Sequence, residues 1–194
     1  MTPKDFLSIL QQAGILKLTK RHCFTMSDRW ESVAEHSWRI SLMAMLLSGE
    51  EEFQDLDMNK VIRMCLIHDL GESFTGDIPT FMKSNTDSDT EDDLFMDWVR
   101  SFPEPQQSEW SALLEEMGKL ETGEAKLYKA LDKMEALISH NESDISTWLP
   151  LEYDLQLTYG QKEMSEFQTL KSIRSSIDDW TKRKIEASSE AAND

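Results

Sequence analysis

Cysteine is scarce in this 194-residue chain: only Cys23 and Cys65 are present. With no signal-peptide pattern, they read as reduced thiols in a cytosolic protein rather than as a disulfide framework. Long apolar runs are missing too, so no segment is expected to span a bilayer. Positive charge is in short supply, with 20 Lys and Arg against 37 Asp and Glu and a net charge of −17. Long-range repulsion at that charge excludes a nucleic-acid-binding or anionic-membrane surface. Strand alternation, internal repeats and low-complexity linkers are also lacking. What is left is an all-α chain, expected to fold as one compact helical bundle over residues 1–185, with 186–194 as a frayed tail.

The charge is unevenly spread. Residues 1–40 hold six basic and four acidic side chains, whereas residues 86–124 hold two basic and twelve acidic ones. Any anionic ligand must therefore be small and held locally, and the early part of the chain is its natural home. The acidic section reads as a solvated face, polar enough from Asn85 to Asp93 to be mobile, and no chemistry is assigned to it.

Helix signals are local and clear. Thr2-Pro3 starts a first helix with an apolar stripe of Phe6, Leu7, Ile9 and Leu10, ended by Gly14. From Ile15 to Glu31 no period persists, and the stretch reads as a long functional loop. Ser32-Val-Ala-Glu35 is a capping box, opening a buried helix to about Gly49 with His36 on its first turn. Asp57 caps the next helix, and Gly71 stands at its expected end. Further helices are expected through Leu94–Val99, Gln107–Met117, Glu124–His140 and Lys162–Lys184. On the Glu124–His140 helix, Asp132 lies beside the apolar stripe, and solvent is its default surroundings.

The stretch Cys-Leu-Ile-His-Asp-Leu-Gly-Glu, Cys65 to Glu72, breaks the pattern by ending an apolar helix in His68 and Asp69. Burying that pair costs free energy unless each residue finds a partner. A hydrogen-bonded pair at a helix end would serve, and so would a metal ion seated beside the last turn. His36, His68, Asp69 and Asp132 together form a nitrogen and oxygen set suited to a hydrolytic divalent transition metal, and too rich in histidine for calcium.

These residues, in the order H…HD…D, resemble the signature of the HD-domain metal-dependent phosphohydrolases. Glu-Ser-Val-Ala-Glu-His-Ser around His36, His-Asp-Leu-Gly-Glu from His68, Thr-Gly-Asp-Ile-Pro from Thr75 and Lys-Ala-Leu-Asp-Lys-Met-Glu-Ala-Leu from Lys129 look like the branch that contains the 5′-deoxynucleotidases. The resemblance implies that His36, His68, Asp69 and Asp132 bind the ion, with cobalt, manganese, iron, nickel, zinc and also magnesium as candidates. It implies catalytic roles for Asp69 and Glu72, the latter acting on the attacking water or as proton donor.

By the same resemblance Asp77 contacts the sugar hydroxyl, and an arginine of the preceding loop holds the phosphate. Arg21 matches that arginine by position, with Arg29 as the competitor. The branch has tryptophan immediately after this arginine, whereas His22 stands here, where base or sugar recognition is expected. The implied activity is release of phosphate from (deoxy)nucleoside 5′-monophosphates by a cytoplasmic enzyme, with a homodimer as the implied assembly. Two alternatives stand beside it. One is hydrolysis of another small phosphate, a nucleoside triphosphate or cyclic nucleotide; the other is a non-catalytic helical module with a structural ion.

Overall fold

Capping residues set the first helices. In this computed structural model, which describes residues 1–26 and 29–191, Thr2 and Asp5 form a capping box that starts α1 (Pro3–Ala13). Ser32 and Glu35 do the same for α2 (Val33–Leu47), and Asp57 accepts from the Lys60 amide to start α3 (Met58–Ile67). Each cap satisfies amides that a helix start leaves without partners. The remaining helices are α4 (Glu72–Thr75), α5 (Asn85–Arg100), α6 (Gln106–Lys119), α7 (Gly123–Glu142), α8 (Glu152–Thr158), α9 (Gln161–Met164) and α10 (Gln168–Ala191).

The core lies where α2, α3 and α7 pack against one another. Ile40 and Ala44 from α2, Val61, Met64 and Cys65 from α3, and Leu131, Met134 and Leu137 from α7 are buried there. Each fully buried aliphatic side chain contributes about 1.5–3 kcal/mol. This triple contact brings the first turn of α2, the end of α3 and the middle of α7 together. All three carry site residues.

The fold departs from the sequence expectation in several places. The stretch read as a loop contains a small antiparallel hairpin, β1 (Lys20–Phe24) paired with β2 (Trp30–Ser32), with an irregular register between Lys20↔Ser32 and Phe24↔Trp30. Neither strand is long enough to show alternation, and the Phe24 and Trp30 rings, 4.1 Å apart, close the pair. Asp28, counted in the charge of this region, lies outside the described residues.

The supposedly mobile acidic section is the start of α5, begun by a Ser84–Asp87 capping box and anchored by Phe95 and Val99 in the core. On α1, Phe6, Leu7 and Leu10 are exposed, and only Ile9 and Ala13 pack against the core. The expected last helix is two. α9 ends at Met164, and α10 begins where the Glu52 carboxylate accepts from the amides of Gln168 (2.6 Å) and Thr169 (2.7 Å). α10 continues to Ala191, past the expected helix end at Lys184; residues 192–194 of the expected tail lie outside the described residues.

Gly71 is not a left-handed helix end. Its φ is −58° and it leads into α4. A Cβ there would stand 2.8 Å from Glu91 Cγ and 3.3 Å from the Glu91 carbonyl, so the turn needs glycine for close approach to α5.

Candidate active site

Four side chains from three helices converge on one point. His36 Nε2 lies 3.2 Å from Asp132 Oδ1 and 3.8 Å from Asp69 Oδ2. His68 Nε2 lies 3.0 Å from Asp69 Oδ2 and 3.6 Å from Asp132 Oδ1. The ligand atoms of His36, His68 and Asp69 all fall within 4.8 Å of one another. His68 keeps helical dihedrals just past α3 (φ −56°, ψ −37°) and the chain tightens there, the Leu70 amide donating to the Ile67 carbonyl at 3.0 Å, so the meeting point of His68 and Asp69 lies beside this last turn.

Both imidazoles are oriented from behind. His68 Nδ1 donates to the Cys65 carbonyl at 3.0 Å, which leaves Nε2 facing the carboxylates. That Nε2 is buried with no aligned hydrogen bond. On α2, His36 Nδ1 is bonded to Glu135 Oε2, and both residues are fully buried. Glu135 also accepts from Ser139 Oγ at 2.6 Å and stands 3.4 Å from Arg39 Nε. Outer partners of this kind fix tautomer and ring direction in metal-ligating histidines.

The site's electrostatics call for a cation. Burial acts to lower the His68 pKa, but Asp69 and Asp132 outweigh it and push it up to about 10. Burial acts to raise Asp132, yet Lys129, whose Nζ donates to Oδ2 at 2.8 Å, and the two histidines hold it well below the usual carboxylate range. Two carboxylates and two imidazole nitrogens, one of them the unpartnered His68 Nε2, fit a divalent transition metal.

Beside this cluster opens a cavity of about 420 Å³. Asp69, Glu72, Asp77, Asp132, Arg21 and His22 all line it. Strand β1 carries Arg21 to the cluster: its Nη1 is 3.7 Å from Asp69 Oδ2 and its Nε is 3.3 Å from Glu31 Oε2. Arg29 is elsewhere. It is exposed and paired bidentately with Glu35, and its groove is a different one.

Glu72 is buried, and its Oε2 has no hydrogen-bond partner among the described residues. Burial, then the charges of Asp69 and Asp77, push its carboxyl up to about 10. Burial likewise raises Asp77, which accepts from the His22 amide.

Residues 13–174 match the family model described as HD domain. The chain belongs to the HD-domain family. Over 146 residues it is 29% identical to the 5′-deoxynucleotidase HDDC2 of Dictyostelium discoideum, covering 71% of this chain and 77% of that protein. The HDDC2 5′-deoxynucleotidase of Danio rerio is 33% identical over 144 residues, covering 71% and 69%. A "predicted metal-dependent phosphohydrolase" from Magnetospirillum magnetotacticum aligns with a TM-score of 0.78 at 27% identity, covering 93% of each chain. The cyanophage S-2L HD phosphohydrolase DatZ, solved with dA and one catalytic Zn²⁺ ion, shares the fold at 18% identity and a TM-score of 0.58, covering 91% of this chain and 96% of that one.

Within this HD domain, Asp132 is the residue that sequence periodicity misplaces. It faces the cluster rather than solvent because His36, His68 and Lys129 supply partners inside. Glu135 was not singled out at all, although it sits three residues after Asp132 and so shares its helix face. No local sequence signal marks Lys83, Ser84, Asn85, Ser88, His140, Glu152, Gln156 and Tyr159, which line the cavity, or Glu31 beside Arg21. Asn85 and Ser88, with the N-cap Ser84, place the start of α5 on the cavity wall. Among the described residues no helix is long and apolar enough to cross a membrane.

Proposed function

We propose that this HD-domain protein is a metal-dependent phosphohydrolase that releases inorganic phosphate from 2′-deoxynucleoside 5′-monophosphates. The observation that supports it most is the His36, His68, Asp69 and Asp132 cluster opening beside Arg21 into a cavity of about 420 Å³. The relatives named 5′-deoxynucleotidase support the substrate class.

His36, His68, Asp69 and Asp132 would hold the ion, with cobalt, manganese, iron, nickel and zinc, and also magnesium, as candidates. A divalent ion bound there polarises phosphoryl oxygens and acidifies a water at neutral pH. Arg21 neutralises charge on the phosphoryl group with donors that Glu31 and Asp69 do not saturate. Glu72 holds a proton in its buried carboxyl and gives it to the leaving 5′-oxygen. Asp77 accepts from a sugar hydroxyl, and its contact with the His22 amide keeps it in place. Cytosolic residence and a homodimer belong to the same proposal, the first supported by the free thiols of Cys23 and Cys65.

The test is phosphate release across deoxy- and ribonucleoside mono- and triphosphates, after chelation and refilling with each metal. Loss of turnover on chelation, return with a transition metal, and its absence in His68→Ala and Asp69→Ala proteins are expected. Undiminished phosphate release by either variant would sink the site. Tripolyphosphate as the product would favour a triphosphohydrolase; a relative of 34% identity over 87 residues is a dATP triphosphohydrolase from Salmonella phage PMBT28.

A further inference from the structure

The four histidines of the chain stand in two pairs, and only His22 and His140 line the cavity itself. His36 and His68 belong to the metal cluster, while His22 and His140 flank Glu152. Helix α7 joins the two ends, lining the cavity with Lys129, Asp132, Lys133, Ala136, Leu137 and His140. These positions are three or four residues apart and share one face. At 1.5 Å per residue, His140 lies about 12 Å along the axis from Asp132. That is a span fit for a nucleotide with its phosphate at the cluster and its base beyond.

The His140 end offers acceptors. Glu152 and Gln156 are each 3% exposed, and both line the cavity. Glu152 Oε2 accepts from the Leu149 amide at 2.6 Å, which fixes the carboxylate. Its Oε1 has His22 Nε2 at 3.3 Å and His140 Nε2 at 3.6 Å, neither in hydrogen-bonding alignment. Gln156 donates its Nε2 to the Leu137 carbonyl at 3.1 Å, which leaves Oε1 without a protein donor among the described residues. Burial pushes the His140 imidazole down to about 4, so it brings no compensating charge at neutral pH. Phe81, edge-on to the His22 ring at 5.5 Å, and Tyr159 supply flat apolar surface beside these groups.

Resting on the nucleotide reading of the metal end, the geometry points to Glu152 and Gln156 as a base-reading pair that selects nucleobases carrying an exocyclic amino group. Adenine, cytosine and guanine each bring an N–H₂ donor to an acceptor-only carboxylate and an amide oxygen. Uracil and thymine put a carbonyl oxygen where cytosine carries its amino group and keep only N3–H as a donor on that edge. At that position two acceptors then face each other, and a buried polar group left unpaired weakens binding. His22, next to Arg21 on β1, holds one side of this pocket and links base and phosphate ends.

Cytosine and uracil are nearly the same size, which makes them the clean comparison. In the metal-loaded protein, kcat/KM for dCMP should exceed that for dUMP by at least about tenfold, chiefly through KM. Glu152→Gln, which can turn an N–H₂ group toward the base, should shrink this ratio at least about fivefold or invert it. A wild-type ratio near one, or a ratio the variant leaves unchanged, overturns the inference.

Calorimetric binding of 2′-deoxycytidine and 2′-deoxyuridine to the wild-type protein needs neither turnover nor a folded variant. It should show the same preference, and equal or absent binding of both nucleosides counts against the pair. Phosphate release from 2-deoxyribose 5-phosphate separates the two levels. If it is released and dCMP and dUMP are treated alike, base reading fails while the phosphohydrolase reading stands. If no sugar phosphate or nucleotide is hydrolysed, the phosphohydrolase reading fails and the calorimetry alone decides the base preference.

Discussion

His36 and Glu135 form a fully buried pair in which Nδ1 of the imidazole meets the carboxylate and Nε2 is turned toward Asp132, 3.2 Å away. Burial acts to raise Glu135, but the His36 charge outweighs it and holds the carboxyl at about 2. The aim of one nitrogen of the candidate metal cluster therefore depends on a residue that does not line the cavity.

Glu135→Gln should keep the fold and weaken metal binding by roughly 10–100-fold, because the ring loses its charged anchor. Competition against a graded chelator measures this directly. Glu135→Ala should in addition lower stability by about 3–5 kcal/mol, the usual cost of breaking a buried pair from one side. Metal affinity equal to wild type in the glutamine variant would remove Glu135 from the site.

Arg21 and Arg29 should separate cleanly. Arg21→Ala removes the guanidinium beside Asp69 and is expected to lower kcat/KM by roughly 10- to 150-fold, the equivalent of about 1.5–3 kcal/mol for a hydrogen bond to a charged group. Arg29→Ala breaks the exposed pair with Glu35 and the bond to the Trp30 carbonyl, both away from the cavity, and should leave kcat/KM as in wild type. Steady-state phosphate release decides between them, and a larger loss at Arg29 would reverse the assignment.

Glu72→Gln keeps the shape of a buried side chain and removes its proton. The expected result is a fall in kcat of about 10²–10⁴-fold with KM little changed, the signature of lost acid–base assistance. A substrate with a phenolate leaving group, which needs no proton, should recover much of the loss. Equal losses for both substrates would argue for a purely structural Glu72.

His140 should show in the pH dependence of stability. Its imidazole is held at about 4 by burial, against an ordinary 6.5. Between those values the unfolded chain binds the extra proton, so stability rises with pH there. The contribution of neutral His140 is whole above pH 6.5 and is lost as pH falls toward 4, by about 3 kcal/mol at most. His140→Asn should flatten this limb of the urea-unfolding profile between pH 6.5 and 4. An unchanged slope would mean that His140 titrates normally.

Local signals were readable in the sequence because their partners are close along the chain. Thr2 with Asp5, and Ser32 with Glu35, are three residues apart, so the helix starts they specify need no tertiary context. The HD motif pointed to His36, His68, Asp69 and Asp132 as a set, and burial of α3 explained why His68-Asp69 needed partners. The hairpin was not legible, since five- and three-residue strands hold too few positions to show alternation.

Tertiary structure decided the rest, because the remaining contacts join residues remote in sequence. Glu135 reaches His36 across 99 positions and Asp132 reaches it across 96. No periodicity can show that an aspartate beside an apolar stripe turns inward when two histidines await it. That Arg21 and not Arg29 lines the cavity follows from which one β1 carries there. The pairing of Glu152 with His22 and His140 exists only once α8 packs beside α7. Capping and apolar spacing determined the helices; desolvation and charge pairing between distant segments determined which polar residues those helices enclose.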